Sequence, residues 1–563
     1  MHRALLLLAA QLHVTTIALP QGGADHQADS TRDLDRARGA QAAFERGRRA
    51  MLPRDAPSGS GRCEVRLGRF CWWYDERPPV LPPEAEQIGR RRRELVAALD
   101  QLAARYPGDD WLAGMRVHYR VDGRDFAGAD SVAATCAATA WWCSALRGYA
   151  AHAGGNALAA DSAFASALDA MAPDSACAWR SIAPLLPDDA RKPYERTPCA
   201  TRQPLERRFW MLSRPRLAAA ANEWQNEFNV RRVLVRMGEH AMTPHLVRWG
   251  WDAAELVLRY GWPVAWTQVT PAMAMGSEVS VVGYDPSPSF DFAPESMDSI
   301  ARLPPDAWHP RAPAGKARFA PRLVRRMADA SAQIARFPRH DSTVVVAAFA
   351  AEDDSLRQPA ATLSVVEADG TIVTSTVDSA RVGRAMIAVR GAPLVAGVEL
   401  LDTLTRTLAR TREAYAAASG PAGLVLSDLL LYRPGAEPAA SLDSALARAI
   451  PGDTVGRGAR LGVFWEMSGL EAGVEAIGLT VTVERVDHGW LRSTRQRLGL
   501  APEDAPIRIK WMDAAPPVNH ILPHAIALDL ANLDTGRYRL ALTLTVGASS
   551  PVTATREIAL LDR

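Results

Sequence analysis

The chain reads as a multidomain α+β protein, with α-helical hairpin repeats at the N-terminus, a small mixed domain in the centre and β-sandwiches at the C-terminus. Three observations predict this. Between Pro83 and Leu186 apolar residues recur at three- and four-residue spacing, as at Leu95, Leu99 and Leu102, which is the period of an amphipathic helix. Six tryptophans crowd residues 200–270: Trp210, Trp224, Trp249, Trp251, Trp262 and Trp266. From Thr343 onward, short β-branched runs alternate with turn residues, as antiparallel strands do. A length of 563 residues suits three or four domains at roughly 150 residues each. With 48% hydrophobic and 23% charged residues, intrinsic disorder and collagen-like repeats are excluded.

Taken in order, the N-terminus begins Met-His-Arg, then Ala4-Leu-Leu-Leu-Leu-Ala-Ala10, with small residues near Ala18. A basic start, an apolar core and a small-residue end predict a secretory signal peptide over 1–18. Residues 19–62 are polar and Gly-rich, and read as a disordered leader with one helix near Asp33–Ala50. The cysteines agree with export. Cys63, Cys71, Cys136, Cys143, Cys177 and Cys199 are even in number and confined to the first 200 residues, as expected of disulfides formed outside the cytosol. Sequence neighbours suggest Cys63–Cys71, Cys136–Cys143 and Cys177–Cys199, although six cysteines allow 15 connectivities. Exported, the protein is periplasmic or secreted, and no apolar run approaches a membrane span.

Residues 63–200 contain an internal repeat. A shift of about 31 residues lays Trp111 on Trp142, Met115 on Leu146, Gly123 on Gly154 and Ala129-Asp-Ser131 on Ala160-Asp-Ser162. Each unit reads as helix, Gly turn, helix. Gly148, Gly155, Ala160, Phe164 and Ala167 match the small and aromatic positions of the tetratricopeptide repeat, so this region resembles a short array of that kind. The resemblance implies a groove that receives a partner protein. A helical layer that packs on the next domain is the alternative.

In residues 201–340 helical spacing is plain over Glu206–Leu212 and Glu223–Met237, whereas Ala254–Tyr260 fits either helix or strand. Val282–Pro321 is dense in Pro, Ser and Asp and reads as a loop, with a helix expected over Arg322–Ala335. Residues 341–455 read as a β-sandwich. Asp369-Gly370 marks a hairpin within it, Asp402–Ala418 a helical insertion, and Arg433–Arg457 a linker. Residues 456–563 read as a second sandwich. Its Asp534-Thr-Gly536-Arg-Tyr538 spacing is similar to the tyrosine corner of immunoglobulin-like domains, in which a buried hydroxyl bonds nearby backbone.

The chemistry-bearing patterns point away from catalysis. There are 65 Lys+Arg against 63 Asp+Glu, a net charge of +2, which gives no footprint for nucleic acid or an anionic membrane. His240 and His245 are separated by Pro244, and Pro523 breaks the turn between His520 and His524, so neither pair presents the helical metal spacing of H-E-x-x-H. No nucleophile elbow or phosphate loop is present. Glu352-Asp353-Asp354 reads as a solvated turn. Accordingly no catalytic, metal or cofactor residues are expected. The tryptophans read mainly as core, but Trp249, Trp251 and Trp262 are candidates for stacking on a glycan or gripping a peptide.

Phe209-Trp210, Pro215, Asn222-Glu223, Arg231-Arg232, Gly250-Trp251-Asp252 and Leu258-Arg-Tyr-Gly-Trp-Pro263 follow the order of features in the GWxTD domain, a domain of unknown function in bacterial envelope proteins. The central segment resembles that family over residues 205–270. It departs at the signature itself, where Asp252 follows Trp251 directly, and it carries Trp262 where the family favours Pro. The resemblance implies an envelope location and brings no catalytic residues. The expected function is non-enzymatic: protein–protein contacts or scaffolding in the cell envelope. The alternative is a glycan-binding or glycan-active protein that uses the central tryptophans.

Overall fold

The computed structural model describes residues 22–54, 65–67, 69–73, 80, 82–246, 250–269, 280–293, 317–377, 380–415, 424–470, 476–487, 506–514, 521–547 and 550–562. The expected signal segment lies outside them, as do Trp249 and Cys63. Among the described residues no helix is long and apolar enough to cross a membrane.

A helical region comes first. It comprises Gly22–Met51 (α1), the short strands Val65–Leu67 (β1) and Phe70–Trp73 (β2), Glu86–Arg105 (α2), Asp110–Asp122 (α3), Phe126–Ala134 (α4), Ala140–Gly154 (α5), Ala157–Ala170 (α6) and Pro173–Arg180 (α7). Asp188–Arg196 (α8), Cys199–Leu212 (α9), Glu223–Gly238 (α10) and Trp251–Tyr260 (α11) follow, then the strands Ala265–Val269 (β3) and Ser280–Pro288 (β4).

Helix starts are set locally. The side chains of Asp109, Asp125, Asn156 and Asn222 accept the amides of Leu112, Gly128, Ala159 and Gln225, so each cap satisfies a backbone donor that the helix leaves unpaired. The sequence repeat corresponds to two helical hairpins, α3–α4 and α5–α6. Gly148 is needed where α5 meets α6 within the second hairpin, because a Cβ there would lie 2.7 Å from the Phe164 ring. Cys136–Cys143 and Cys177–Cys199 are disulfides, and Cys71 is disulfide-bonded.

Two expectations fail here. The leader is not disordered over 22–51: the helix expected near Asp33–Ala50 is present but longer, and this α1 packs along the hairpins and buries Gln41, Phe44, Glu45 and Arg48. Its polar composition conceals a face on which Phe44 is buried beside the hydrogen-bonded Gln41 and the ion-paired Arg48. Nor does residue 200 divide two domains. The strand order β1-β2-β4-β3 pairs Phe70 with Gly283, and Phe44, Trp72, Leu112, Trp142, Val233, Trp266 and Val281 share one core.

The first β-sandwich follows with Arg326–Ala328 (β5), Ala330–Pro338 (β6), Ser342–Ala351 (β7), Ala360–Val366 (β8), Ile372–Val377 (β9), Val382–Arg390 (β10), Val395–Asp402 (β11) and Thr407–Ala414 (β12). One sheet has the order β10-β7-β6 and the other β5-β12-β11-β8-β9. Ile334, Val345, Phe349, Leu363, Val398 and Leu400 fill the space between them. The helix expected over Arg322–Ala335 is instead β5 and β6. Its alanines favour a helix, but β6 pairs along its whole length with β7, and tertiary pairing outweighs a weak propensity. Where a helical insertion is expected at Asp402–Ala418, residues 407–414 are also a strand, β12, turned back on β11, and residues 416–418 lie outside the described residues. Asp402 makes that turn, its Oδ1 accepting the amides of Leu404 and Thr405. Gly370, at φ 91°, turns the β8–β9 hairpin as its Asp-Gly pair predicts.

The second sandwich comprises Val425–Leu426 (β13), Leu430–Tyr432 (β14), Leu442–Leu446 (α12), Thr454–Gly456 (β15), Arg460–Ser468 (β16), Ala476–Arg485 (β17), Ile507–Ala514 (β18), Leu522–Asp529 (β19), Gly536–Val546 (β20) and Val552–Leu561 (β21). Its sheets run β13-β16-β14, with β19 on β16, and β15-β21-β20-β17-β18. Trp465, Val481, Leu540 and Leu560 lie between them. Tyr538 Oη donates to the Asp534 carbonyl at 2.9 Å. The expected linker Arg433–Arg457 is a packed wedge: Ala439, Leu442 and Ala445 sit against Phe337, Val346 and Ala348 of the first sandwich. The wedge therefore belongs with the second sandwich rather than linking to it.

Candidate functional site

The central tryptophans divide by burial. Trp210, Trp224 and Trp266 are buried. Trp210 meets Phe209 and Phe228 at 5.1 and 5.3 Å between ring centroids, and Trp224 stacks on Phe319 at 5.2 Å. Trp251 is 90% exposed. Trp262 is half-buried, edge-on to Trp266 at 6.0 Å. These last two do not share a platform. Trp251 opens α11 and Trp262 follows its end, so about 15 Å of helix at 1.5 Å per residue separates them.

The other residues of the central motifs also hold the fold together. Arg231 is buried and donates to the carbonyls of Leu258, Arg259 and Arg318, which ties α10 to the end of α11. Gly261, at φ 90°, leaves room for that guanidinium, since a Cβ would meet it at 3.0 Å. His245 is buried against the Val281 carbonyl, and burial pushes its imidazole down to about 4. Among the described residues no group of three His, Cys, Asp or Glu side chains is placed to hold a metal.

Trp262 borders a cavity of roughly 20 Å³, room for about one water. Beside it lies a buried polar cluster that the sequence reading missed. Tyr119 Oη donates to Glu45 at 2.7 Å and accepts from Gln41 at 2.6 Å. Arg48 donates to Asp122 at 3.1 Å, and Arg92 spans Asp122 and Glu84 at 2.6 Å each. Burial pushes the Glu45 carboxyl up to about 7, against the pull of Arg48. Burial likewise pushes His118 down to about 4. Perturbed groups of this kind often mark active sites, but a one-water cavity admits no substrate, and each named charge braces one helix against another. A legible signal did exist: Gln41, Glu45 and Arg48 at i, i+4 and i+7 place three polar groups on one face of α1.

A space of ligand size adjoins α9. A cleft of about 780 Å³ opens between α6, α7, α9 and α10 on one side and the β8–β9 turn on the other, within the range of small-molecule sites. Its walls are fixed by the junction of the helical region with the first sandwich. Glu399 on β11, 1% exposed at its side chain, accepts the amides of Leu217 and Ala218. Arg412 on β12, fully buried, donates to the carbonyls of Leu212 and Arg214 at 2.8 Å and pairs with Glu399 at 3.3 Å. Neither Trp251 nor Trp262 lines this cleft; Trp179 and Trp210 do.

No family model matches the chain, and no curated protein matches it. Three solved structures show weak likeness. Red sea bream transglutaminase is 10% identical, over 56% of this chain and 43% of its own, with a TM-score of 0.16. A calcium-stabilised adhesin with which an Antarctic bacterium binds ice is 12% identical, over 42% of this chain and 50% of its own, with a TM-score of 0.14. The receptor tyrosine kinase Torso, solved for its perception of a neurohormone, is 8% identical, over 42% and 74%, with a TM-score of 0.11. This chain thus spans half or less of the first two, and at these scores none bears on its function.

Proposed function

We propose that this is an exported, non-enzymatic scaffold of a bacterial cell envelope, a distant relative of the GWxTD proteins, whose helical hairpins dock a partner protein. In this reading the hairpins are tetratricopeptide-like, as the fit of Phe164 against Gly148 supports. The second sandwich is immunoglobulin-like, a reading supported by the Tyr538–Asp534 hydrogen bond. Export is supported by the disulfides Cys136–Cys143 and Cys177–Cys199.

One observation carries the docking reading. Phe126 and Leu158 open the second helices of the two hairpins and are 36% and 58% exposed, so neighbouring units each present an apolar residue at the same end. Paired exposed anchors suit a protein partner. The test is recovery of a partner from envelope extract by wild-type protein and by F126D/L158D. The expected result is one specific band, lost in the variant, with an unchanged melting temperature. Equal recovery by the folded variant refutes the docking reading.

A further inference from the structure

We propose that the cleft between the helical region and the first sandwich binds a neutral oligosaccharide. This site is separate from the hairpin rim and from Trp251 and Trp262. Three features of its lining lead to that ligand class.

The first is charge. Four arginines face four carboxylates around the cleft, so it has no net preference for a polyanion such as a nucleotide or for a polycation. A ligand that fills it must be recognised by hydrogen bonds and surface contact. The second is uncommitted polarity. Gln203 and Glu206 lie three apart on α9, and Gln225 opens the facing stretch of α10. Among the described residues the side-chain amides of Gln203 and Gln225 have no hydrogen-bond partner, and each both donates and accepts.

Glu206 adds a buried acceptor to this set. Its side chain is 4% exposed; Oε1 accepts from Tyr194, whereas Oε2 makes no hydrogen bond and has its nearest cation, Arg180, at 3.6 Å. Arg214 Nε is a buried donor that is likewise unmatched. Unmet buried groups of both kinds are costly, and a hydroxyl satisfies either, because it donates one hydrogen and accepts two. A polyol is therefore matched in kind, whereas a phosphodiester has only acceptors to offer and would bring negative charge to Glu206.

The third feature is the indole wall. Trp179 and Trp210 line the cleft, and Trp179 is held in place because its Nε1 donates to Asn229 at 2.9 Å. Fixed aromatic surface beside convergent polar groups is what the C–H faces and hydroxyl rim of a sugar ring require. Gln203, Glu206 and Trp210, at i, i+3 and i+7 of α9, place carboxylate, amide and ring on one side of a single helix.

The test is isothermal titration of the full chain with chitotetraose, maltotetraose, cellotetraose and mannotetraose, with pyrophosphate and a neutral tetrapeptide as controls. The expected result is saturable binding of at least one sugar, weakened tenfold or more in Q203A/Q225A, with neither control bound. Q203A/Q225A alters half-exposed side chains and is expected to melt with the wild type; W179F serves as a second cleft variant should it not. Silence of all four sugars, binding of pyrophosphate or tetrapeptide in their place, or sugar binding untouched by both cleft variants overturns the proposal. None of these outcomes bears on the hairpin rim, which F126D/L158D tests separately.

Discussion

Removing Arg412 should loosen the chain at one place. Its guanidinium is fully buried, donates to the carbonyls of Leu212 and Arg214, and faces Glu399, which is itself buried. Arg412→Met keeps most of the volume and leaves the Glu399 carboxylate without its paired cation. Breaking a buried pair from one side costs about 3–5 kcal/mol. Arg410 is buried beside it and donates to the same carbonyls of Arg214 and Pro215, so part of the positive field survives and the expected cost is near the lower figure, about 3 kcal/mol. At a urea dependence of about 2–3 kcal/mol per M, the midpoint falls by about 1 M. Most tryptophans lie in the helical region, so fluorescence follows that part while far-UV circular dichroism includes the sandwiches. With the junction weakened, the two probes should cease to coincide. A variant within about 0.3 M of wild type, with coincident probes, refutes the claim that this pair joins the two parts.

Glu45 should make stability depend on pH. Its folded-state carboxyl is raised from 4.5 to about 7 by burial, so its contribution is full below pH 4.5 and is lost as pH rises through 7. Glu45→Gln should therefore gain on wild type between pH 5 and pH 8, by up to about 3 kcal/mol; parallel denaturation curves at the two pH values check this. Gly148→Ala drives a methyl into the Phe164 ring and should cost about 1–3 kcal/mol, much of it recovered with Phe164→Leu in a double-mutant cycle. Replacing Cys177 and Cys199 by Ala should cost about 3 kcal/mol and replacing Cys136 and Cys143 about 2, since the first pair closes the longer loop (sequence separations 22 and 7); thermal melts of the two variants rank them. Tyr538→Phe removes one hydrogen bond to the Asp534 carbonyl and should lower stability by about 1 kcal/mol without disturbing the helical region.

What can be read from the chain alone is whatever neighbouring residues decide among themselves. Asp109, Asp125, Asn156 and Asn222 start helices through bonds three residues long. Asp369-Gly370 turns a hairpin, and the repeat lays out two helical hairpins before any contact is known. What folding decides is long-range. Arg322–Ala335 has helical composition but is paired as strand with residues up to Ala351, because a ladder of backbone bonds outweighs tenths of a kcal/mol of propensity. The polar α1 is recruited by Asp122 and Tyr119, more than 70 residues away, and such partners leave no local pattern. The cleft belongs to the same class. Its walls come from α6, α7, α9, α10 and the β8–β9 turn, and long-range contacts such as the buried Glu399–Arg412 pair, reaching back some 180 residues to the Leu217 amide, bring them face to face.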